Sequence, residues 1–161
     1  MARIRHIAIS SDDPVAAAEF YKKHFGMTEL YRQPKDTGAS GVWLSDGYIY
    51  FAILKFGEAD VPKLGPNHDS EHRGIHHIGF MVDDEEATCK GLQADDVKPV
   101  PKFDAGRQRP LAEISNAPNR KFIGPDAVHF DVRDRGWNEA IRSKMQLYEL
   151  QPAAPKAATR K

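Results

Sequence analysis

Ile4-Arg5-His6-Ile7-Ala8-Ile9-Ser10-Ser11-Asp12-Asp13 returns as Ile75-His76-His77-Ile78-Gly79-Phe80-Met81-Val82-Asp83-Asp84, at a constant offset of 77 − 6 = 71 residues. Ile, His, Ile, Asp and Asp coincide, and Ala16 and Ala87 extend the match. Each copy is a strand pattern that runs into a pair of acids. An internal repeat fixes architecture before any single motif does, because each copy must fold in the same way.

Both copies continue into a helix. After the first, Asp13 is a capping residue and Pro14 suits the first helical position, where its missing N–H has no intrahelical partner. Ala17, Tyr21 and Phe25 recur every four residues as an apolar face, and Gly26 stops the run. After the second, Asp84 caps a weaker helix over Glu85 to Ala94. Strand patterns follow at Thr28 to Arg32, Ser40 to Leu44 and Tyr48 to Lys55, and again at Val97 to Pro99, Leu111 to Ser115, Arg120 to Ile123 and Val128 to Arg133. Ser45-Asp46-Gly47 and Gly124-Pro125-Asp126-Ala127 are turns at matching places. Each half therefore reads as a strand, a helix and then three strands, an α+β arrangement.

These patterns divide the chain into modules over about 3–55 and 74–135, within a domain spanning 1–137. The polar, Gly- and Pro-containing stretch 56–73 is the expected linker. Residues 100–110 read as a long loop. Trp137 to Leu150 has helical character, and within 138–161 the segment from Gln151 onward reads as a mobile tail.

Composition narrows the function. The 161 residues carry 23 basic and 23 acidic side chains, so there is no net positive excess to track a nucleic-acid backbone. Cys89 is the only cysteine, which excludes an intrachain disulfide and a thiolate zinc cluster and leaves it a small packing residue. Ile49 to Leu54, the longest apolar run near the middle, is far too short for a bilayer. No apolar run follows the charges at the N-terminus, so a soluble, cytoplasmic protein is expected.

Arg5-His6-Ile7-Ala8-Ile9, Glu19-Phe20-Tyr21-Lys22-Lys23-His24-Phe25-Gly26-Met27, Gly74-Ile75-His76-His77-Ile78-Gly79-Phe80 and Gly124-Pro125-Asp126-Ala127-Val128-His129-Phe130-Asp131 resemble the vicinal-oxygen-chelate superfamily over about residues 3–137. That group includes glyoxalase I, methylmalonyl-CoA epimerase, extradiol dioxygenases, and the bleomycin- and fosfomycin-resistance proteins. The resemblance implies two βαβββ modules in tandem, curled into a half-barrel cup around a metal. Gly124 and Ala127 depart from the family's Asp-Pro-Asp-Gly turn, and Asp131 stands where many members have Glu.

Strand alternation places candidate ligands within that fold. Ile7 and Ile9 share one face, suited to a covering helix, and His6, Ala8 and Ser10 the other; Ile78 and Phe80 oppose His77 and Gly79; Val128, Phe130 and Val132 oppose His129, Asp131 and Arg133. His6, His77 and Asp131 are therefore the expected metal ligands. A single strand histidine is usually structural, but two at repeat-equivalent positions with an inward acid are a ligand set. Two imidazoles and one carboxylate form the facial triad of Fe(II) oxygenases and also suit Mn2+, Ni2+, Co2+ or Zn2+.

Glyoxalase I places a further carboxylate in the strand here occupied by Tyr48 to Lys55. The concave face of that strand carries Tyr48, Tyr50, Ala52 and Leu54, with no acid. His129, Tyr48 and Tyr50 are the candidates for proton transfer or substrate orientation. His76 is assigned to the opposite face as a structural residue, and His68 and His72 to a solvated loop.

The leading expectation is a metal-dependent glyoxalase- or dioxygenase-type enzyme acting on a small substrate with adjacent oxygens, leaning to an Fe(II) extradiol dioxygenase. The alternatives are a divalent-metal lyase, epimerase or thiol transferase, and a non-catalytic drug-binding protein. The family points to a homodimer, and apolar Trp137, Met145, Leu147 and Leu150 either supply surface for a partner or fold back on the chain as a capping helix.

Overall fold

The computed structural model describes residues 1–33, 40–56, 71–100 and 120–145. The first module comprises β1 (Arg3–Ser10), α1 (Pro14–Phe25), β2 (Thr28–Arg32), β3 (Ser40–Ser45) and β4 (Tyr50–Lys55). The second comprises β5 (Gly74–Met81), α2 (Glu85–Ala94), β6 (Lys98–Pro99), β7 (Arg120–Ile123) and β8 (His129–Arg133), and a short α3 (Trp137–Arg142) follows. Most of the expected linker, the expected strand at Leu111 to Ser115, the loop after residue 100 and the chain beyond 145 lie outside the described residues.

All eight strands form one curved, unclosed sheet in the order β2-β3-β4-β1-β5-β8-β7-β6. The order is symmetric about the β1–β5 seam, as the repeat requires. β1 lies parallel to β4 and β5 parallel to β8, while β1 and β5 pair antiparallel.

The helices form where the sequence directs them. The Asp13 carboxylate accepts from the amides of Val15 and Ala16, at 3.0 and 2.9 Å, and Gly26 closes α1 in the left-handed region at φ 66°. Asp84 caps α2 by accepting from the Ala87 amide at 2.8 Å. Ala18 packs with Val42, Leu44, Phe51 and Ile53, joined by Ile7, Ile9, Ala17 and Tyr21. Phe25 departs from its expected role: it is 66% exposed and meets Phe20 edge-on and Tyr21 at a tilt, because the inward stripe of α1 runs through Pro14, Ala18 and the partly buried Tyr21. A second core joins Val82, Cys89, Phe122 and Val132 with Phe80 and Phe130, so Cys89 is the packing residue its position predicts.

Both helices thus cover the Ile and Phe side of the sheet. The other side is left for His6, His77 and Asp131. α3 packs there as well. Of the two alternatives for the C-terminal segment, Trp137 follows the one that folds back on its own chain: it is 2% exposed and stacks on His6 with ring centroids 5.1 Å apart. Gly79 makes room for it: a Cβ at that position would collide with the Trp137 ring and lie 2.7 Å from the His6 Cβ.

Candidate metal centre

Three side chains from three strands converge. His6 Nε2 lies 3.0 Å from His77 Nε2, and His77 Nε2 lies 3.3 Å from Asp131 Oδ2. The three donor atoms all fall within 4.8 Å of one another, and all three residues are buried. Around an ion with bonds of about 2.0–2.1 Å, neighbouring donors sit roughly 2.9–3.4 Å apart. The two measured separations fall in that interval.

The hydrogen bonds behind the trio orient it. His6 Nδ1 lies 2.7 Å from the carbonyl of Tyr50, which can only accept, so the ring proton is on Nδ1. Burial, reinforced by the neighbouring His77, pushes the His6 pKa down to about 3, so the ring is neutral and its Nε2 lone pair faces His77. Such a backbone-anchored imidazole has the tautomer and orientation of a metal ligand. His77 Nδ1 is engaged by His76 Nδ1 at 2.7 Å.

Asp131 carries the charge of the site. Burial alone would raise its pKa, but the Lys121 ammonium, and then His77, outweigh that and hold it far below the usual carboxylate range. Lys121 Nζ donates to Oδ1 of Asp131 in an ion pair that is itself buried, leaving Oδ2 toward the histidines. Burial lowers the Lys121 pKa, and Asp131 opposes that shift.

The register locates the fourth family position. Ala8 is the repeat equivalent of Gly79 (79 − 71 = 8), and Ala8 pairs with Ala52 as Gly79 pairs with Asp131. Ala52, 1% exposed, is therefore the counterpart of Asp131, with a methyl group where a ligand would stand. The same symmetry matches Tyr50 to His129 and Leu54 to Arg133. Across the neighbouring strand pair it matches Trp43, opposite Ala52, to Lys121, opposite Asp131. The cup thus has an apolar half from the first module and a charged half from the second.

Other expected site residues divide. Tyr50 lies beside the trio, its ring centroid 5.6 Å from that of His6, and burial raises its phenol to about 12. His129 is 1% exposed, two residues from Asp131 on its strand. Tyr48 is engaged elsewhere: its ring lies under the Arg5 guanidinium at 4.1 Å, and its carbonyl accepts from Arg5 Nη1. His76 needs correction. The β1–β5 ladder is irregular between Ala8 and Ile9, where Ala8 pairs with His77 and Ile9 with Ile75, so His76 bulges out of register. Its ring is buried against His77 and 6.0 Å from that of His129, rather than on the helix-covered face. His72 lies just before β5, where its Nε2 approaches the carbonyl of Ile75, and His68 is outside the described residues.

Sequence reading overlooked Lys121, Arg133 and Trp137 as parts of the site. The signal for Lys121 was present in the antiparallel register: counting three residues out on each side of the 124–128 turn brings 121 opposite the acid at 131.

The yeast Saccharomyces cerevisiae glyoxalase I is 28% identical over 151 residues, a match that covers 80% of this chain but 44% of the yeast protein. The chain thus spans under half of that relative. An uncharacterised Escherichia coli protein, YaeR, is 29% identical over 101 residues, covering 61% of this chain and 74% of YaeR. Among solved structures, methylmalonyl-CoA epimerase from Mycobacterium tuberculosis superposes with a TM-score of 0.58 at 22% identity, over 80% of this chain and 85% of that one. A methylmalonyl-CoA epimerase bound to methylmalonyl-CoA gives 0.54 at 23% identity, over 82% and 93%. These likenesses show the shared fold. The family model for this fold matches residues 3–132, from the first strand through the strand that bears Asp131, and the chain belongs to the Glyoxalase/Bleomycin resistance protein/Dioxygenase superfamily.

Proposed function

We propose that the protein is a divalent-metal enzyme that binds a small substrate through two adjacent oxygens and moves a proton at the carbon beside them, the chemistry of an isomerase, epimerase or lyase. The observation that carries this reading is the convergence of three buried donors, with His77 Nε2 at ligand-like separations from His6 Nε2 and Asp131 Oδ2 and all three atoms within 4.8 Å of one another. A metal held there supplies Lewis acidity to the substrate oxygens. The trio leaves coordination positions open because Ala52 contributes no donor.

The remaining roles fall to the chain's own groups. Tyr50, whose phenol keeps its proton at neutral pH, orients substrate by hydrogen-bond donation. His129 is the candidate to take and return the substrate proton. Lys121 holds Oδ1 of Asp131, so that Oδ2 alone faces the histidines. Ala52 disfavours the glyoxalase I reaction itself, which uses a second carboxylate at that position.

A second reading, an extradiol-type dioxygenase with Fe2+, is favoured by the donor set, since two histidines and an aspartate are the facial triad of Fe(II) oxygenases. Anaerobic purification with elemental analysis, followed by two assays, separates the readings. The expected result is about one equivalent of Mn2+, Co2+, Ni2+ or Zn2+ per chain and metal-dependent deuterium wash-in at the methyl group of pyruvate in D2O. Iron with catechol-dependent oxygen uptake instead establishes the dioxygenase. Protein that binds no metal and catalyses neither reaction is a metal-free ligand binder.

The proposal includes a cytoplasmic setting and a homodimer. No helix among the described residues is long and apolar enough to cross a membrane. The dimer is supported by Ile4 and Ile75, exposed on the two strands that join the modules. Trp137, which is buried, does not support it. Sedimentation at micromolar concentration is expected to give twice the 18.0 kDa chain mass, and a single species at 18.0 kDa refutes the dimer.

A further inference from the structure

Arg133 is a buried cation on the strand that carries Asp131. It is 6% exposed, and its Nη2 has no hydrogen-bond partner among the described residues. Strand alternation puts it on the concave face with Asp131, two residues away. Its guanidinium carbon lies 5.8 Å from the centre of the Trp137 ring, which itself stacks on His6. Electrostatically it is coupled to Tyr50 and Asp131 inside the cup and to Glu85 and Asp134 outside it. None of these groups takes up Nη2.

A guanidinium offers five donors in a planar fork suited to a carboxylate, and a buried donor left unmatched is costly. Lys121 cannot serve a ligand in the same way, because its ammonium is committed to Asp131. Leu54 stands at the position equivalent to Arg133 in the first module, so the cup presents this fork on one side only. We propose that Arg133, with the neighbouring Tyr50 hydroxyl, recognises a carboxylate of the substrate, and that the substrate class is small organic acids with a second carboxylate besides the vicinal oxygens.

The substrate class rests on the metal reading above; the carboxylate preference of Arg133 does not. Both are tested by calorimetric titration of wild type, Arg133→Met and Arg133→Lys. Metal-loaded protein is titrated with tartronate, malate and 2-hydroxyglutarate, each a 2-hydroxy acid with a second carboxylate at increasing distance, and with lactate, which lacks it. Metal-free protein is titrated with propionate and butyrate against the neutral isosteres propionamide and butyramide.

The expected result is that at least one diacid binds metal-loaded wild type about tenfold to a hundredfold more tightly than lactate, and that metal-free wild type prefers at least one carboxylate over its amide by a similar factor. Arg133→Met should erase both preferences, and Arg133→Lys should restore part of them. If the preference is absent from wild type in both series, or persists undiminished in Arg133→Met, the inference is overturned. If the metal-free series shows it but no metal loads, Arg133 stands as the carboxylate site and the metal reading fails. Circular dichroism of each variant verifies that the fold is retained.

Discussion

Replacing His77 by alanine is expected to reduce divalent-metal affinity by a factor of a hundred or more while leaving the sheet folded. The ring supplies the central donor of the trio, since its Nε2 stands between His6 Nε2 at 3.0 Å and Asp131 Oδ2 at 3.3 Å. Two donors cannot replace three: structural zinc sites owe on the order of 10–16 kcal/mol to a complete ligand set, so losing one ligand costs several kcal/mol. The fold should tolerate the change because the two apolar clusters lie on the helix-covered face and do not include His77. The measurement is a competitive titration with a chromophoric chelator, with circular dichroism as the folding check. Unchanged affinity and stoichiometry in a folded His77→Ala variant would place the site elsewhere.

Lys121→Met is expected to have the largest effect on stability. The Lys121–Asp131 pair is sealed from solvent, with side chains 2% and 0% exposed. Removing one partner of a buried pair leaves the other charge uncompensated and costs about 3–5 kcal/mol, whereas replacing both by apolar groups of similar volume is often close to neutral. Metal-free Lys121→Met should therefore unfold at markedly lower urea concentration, and Lys121→Met/Asp131→Leu should recover most of the loss. A dication offers Asp131 another counter-charge, so metal should stabilise the single variant more than wild type. The account of this pair is refuted if the metal-free variant matches wild type, or if metal raises both equally.

The two predictions draw on parts of the site that were unequally legible in the sequence. His6 and His77 were readable because the 71-residue repeat assigns them equivalent places, and Asp131 because it alternates with Phe130 and Val132 on a regular strand. The absent fourth donor was also readable, although only the paired register identifies its position as Ala52.

What escaped depends on contacts between elements. Lys121 lies between Arg120 and Phe122 and looks like an ordinary strand lysine until the ladder sets it opposite Asp131. His76 was assigned by strict alternation, and a bulge breaks alternation. Tyr48 shares its periodicity with Tyr50, but it precedes β4 and turns to Arg5. Trp137 reads as apolar surface in a terminal helix. Its burial depends on Gly79, a missing side chain 58 residues earlier (137 − 79 = 58), and no local pattern conveys that. Phe25 shows the converse, an apolar residue with the expected spacing whose helical turn ends clear of the core.

The central claim is that His6, His77 and Asp131 jointly hold one divalent metal ion. Anomalous diffraction from crystals grown with Mn2+ or Zn2+ tests it most directly. One dominant anomalous peak per chain is expected, about 2.0–2.2 Å from His6 Nε2, His77 Nε2 and a carboxylate oxygen of Asp131. A peak bound by other residues, or crystals that show none at this trio despite saturating metal, would contradict it.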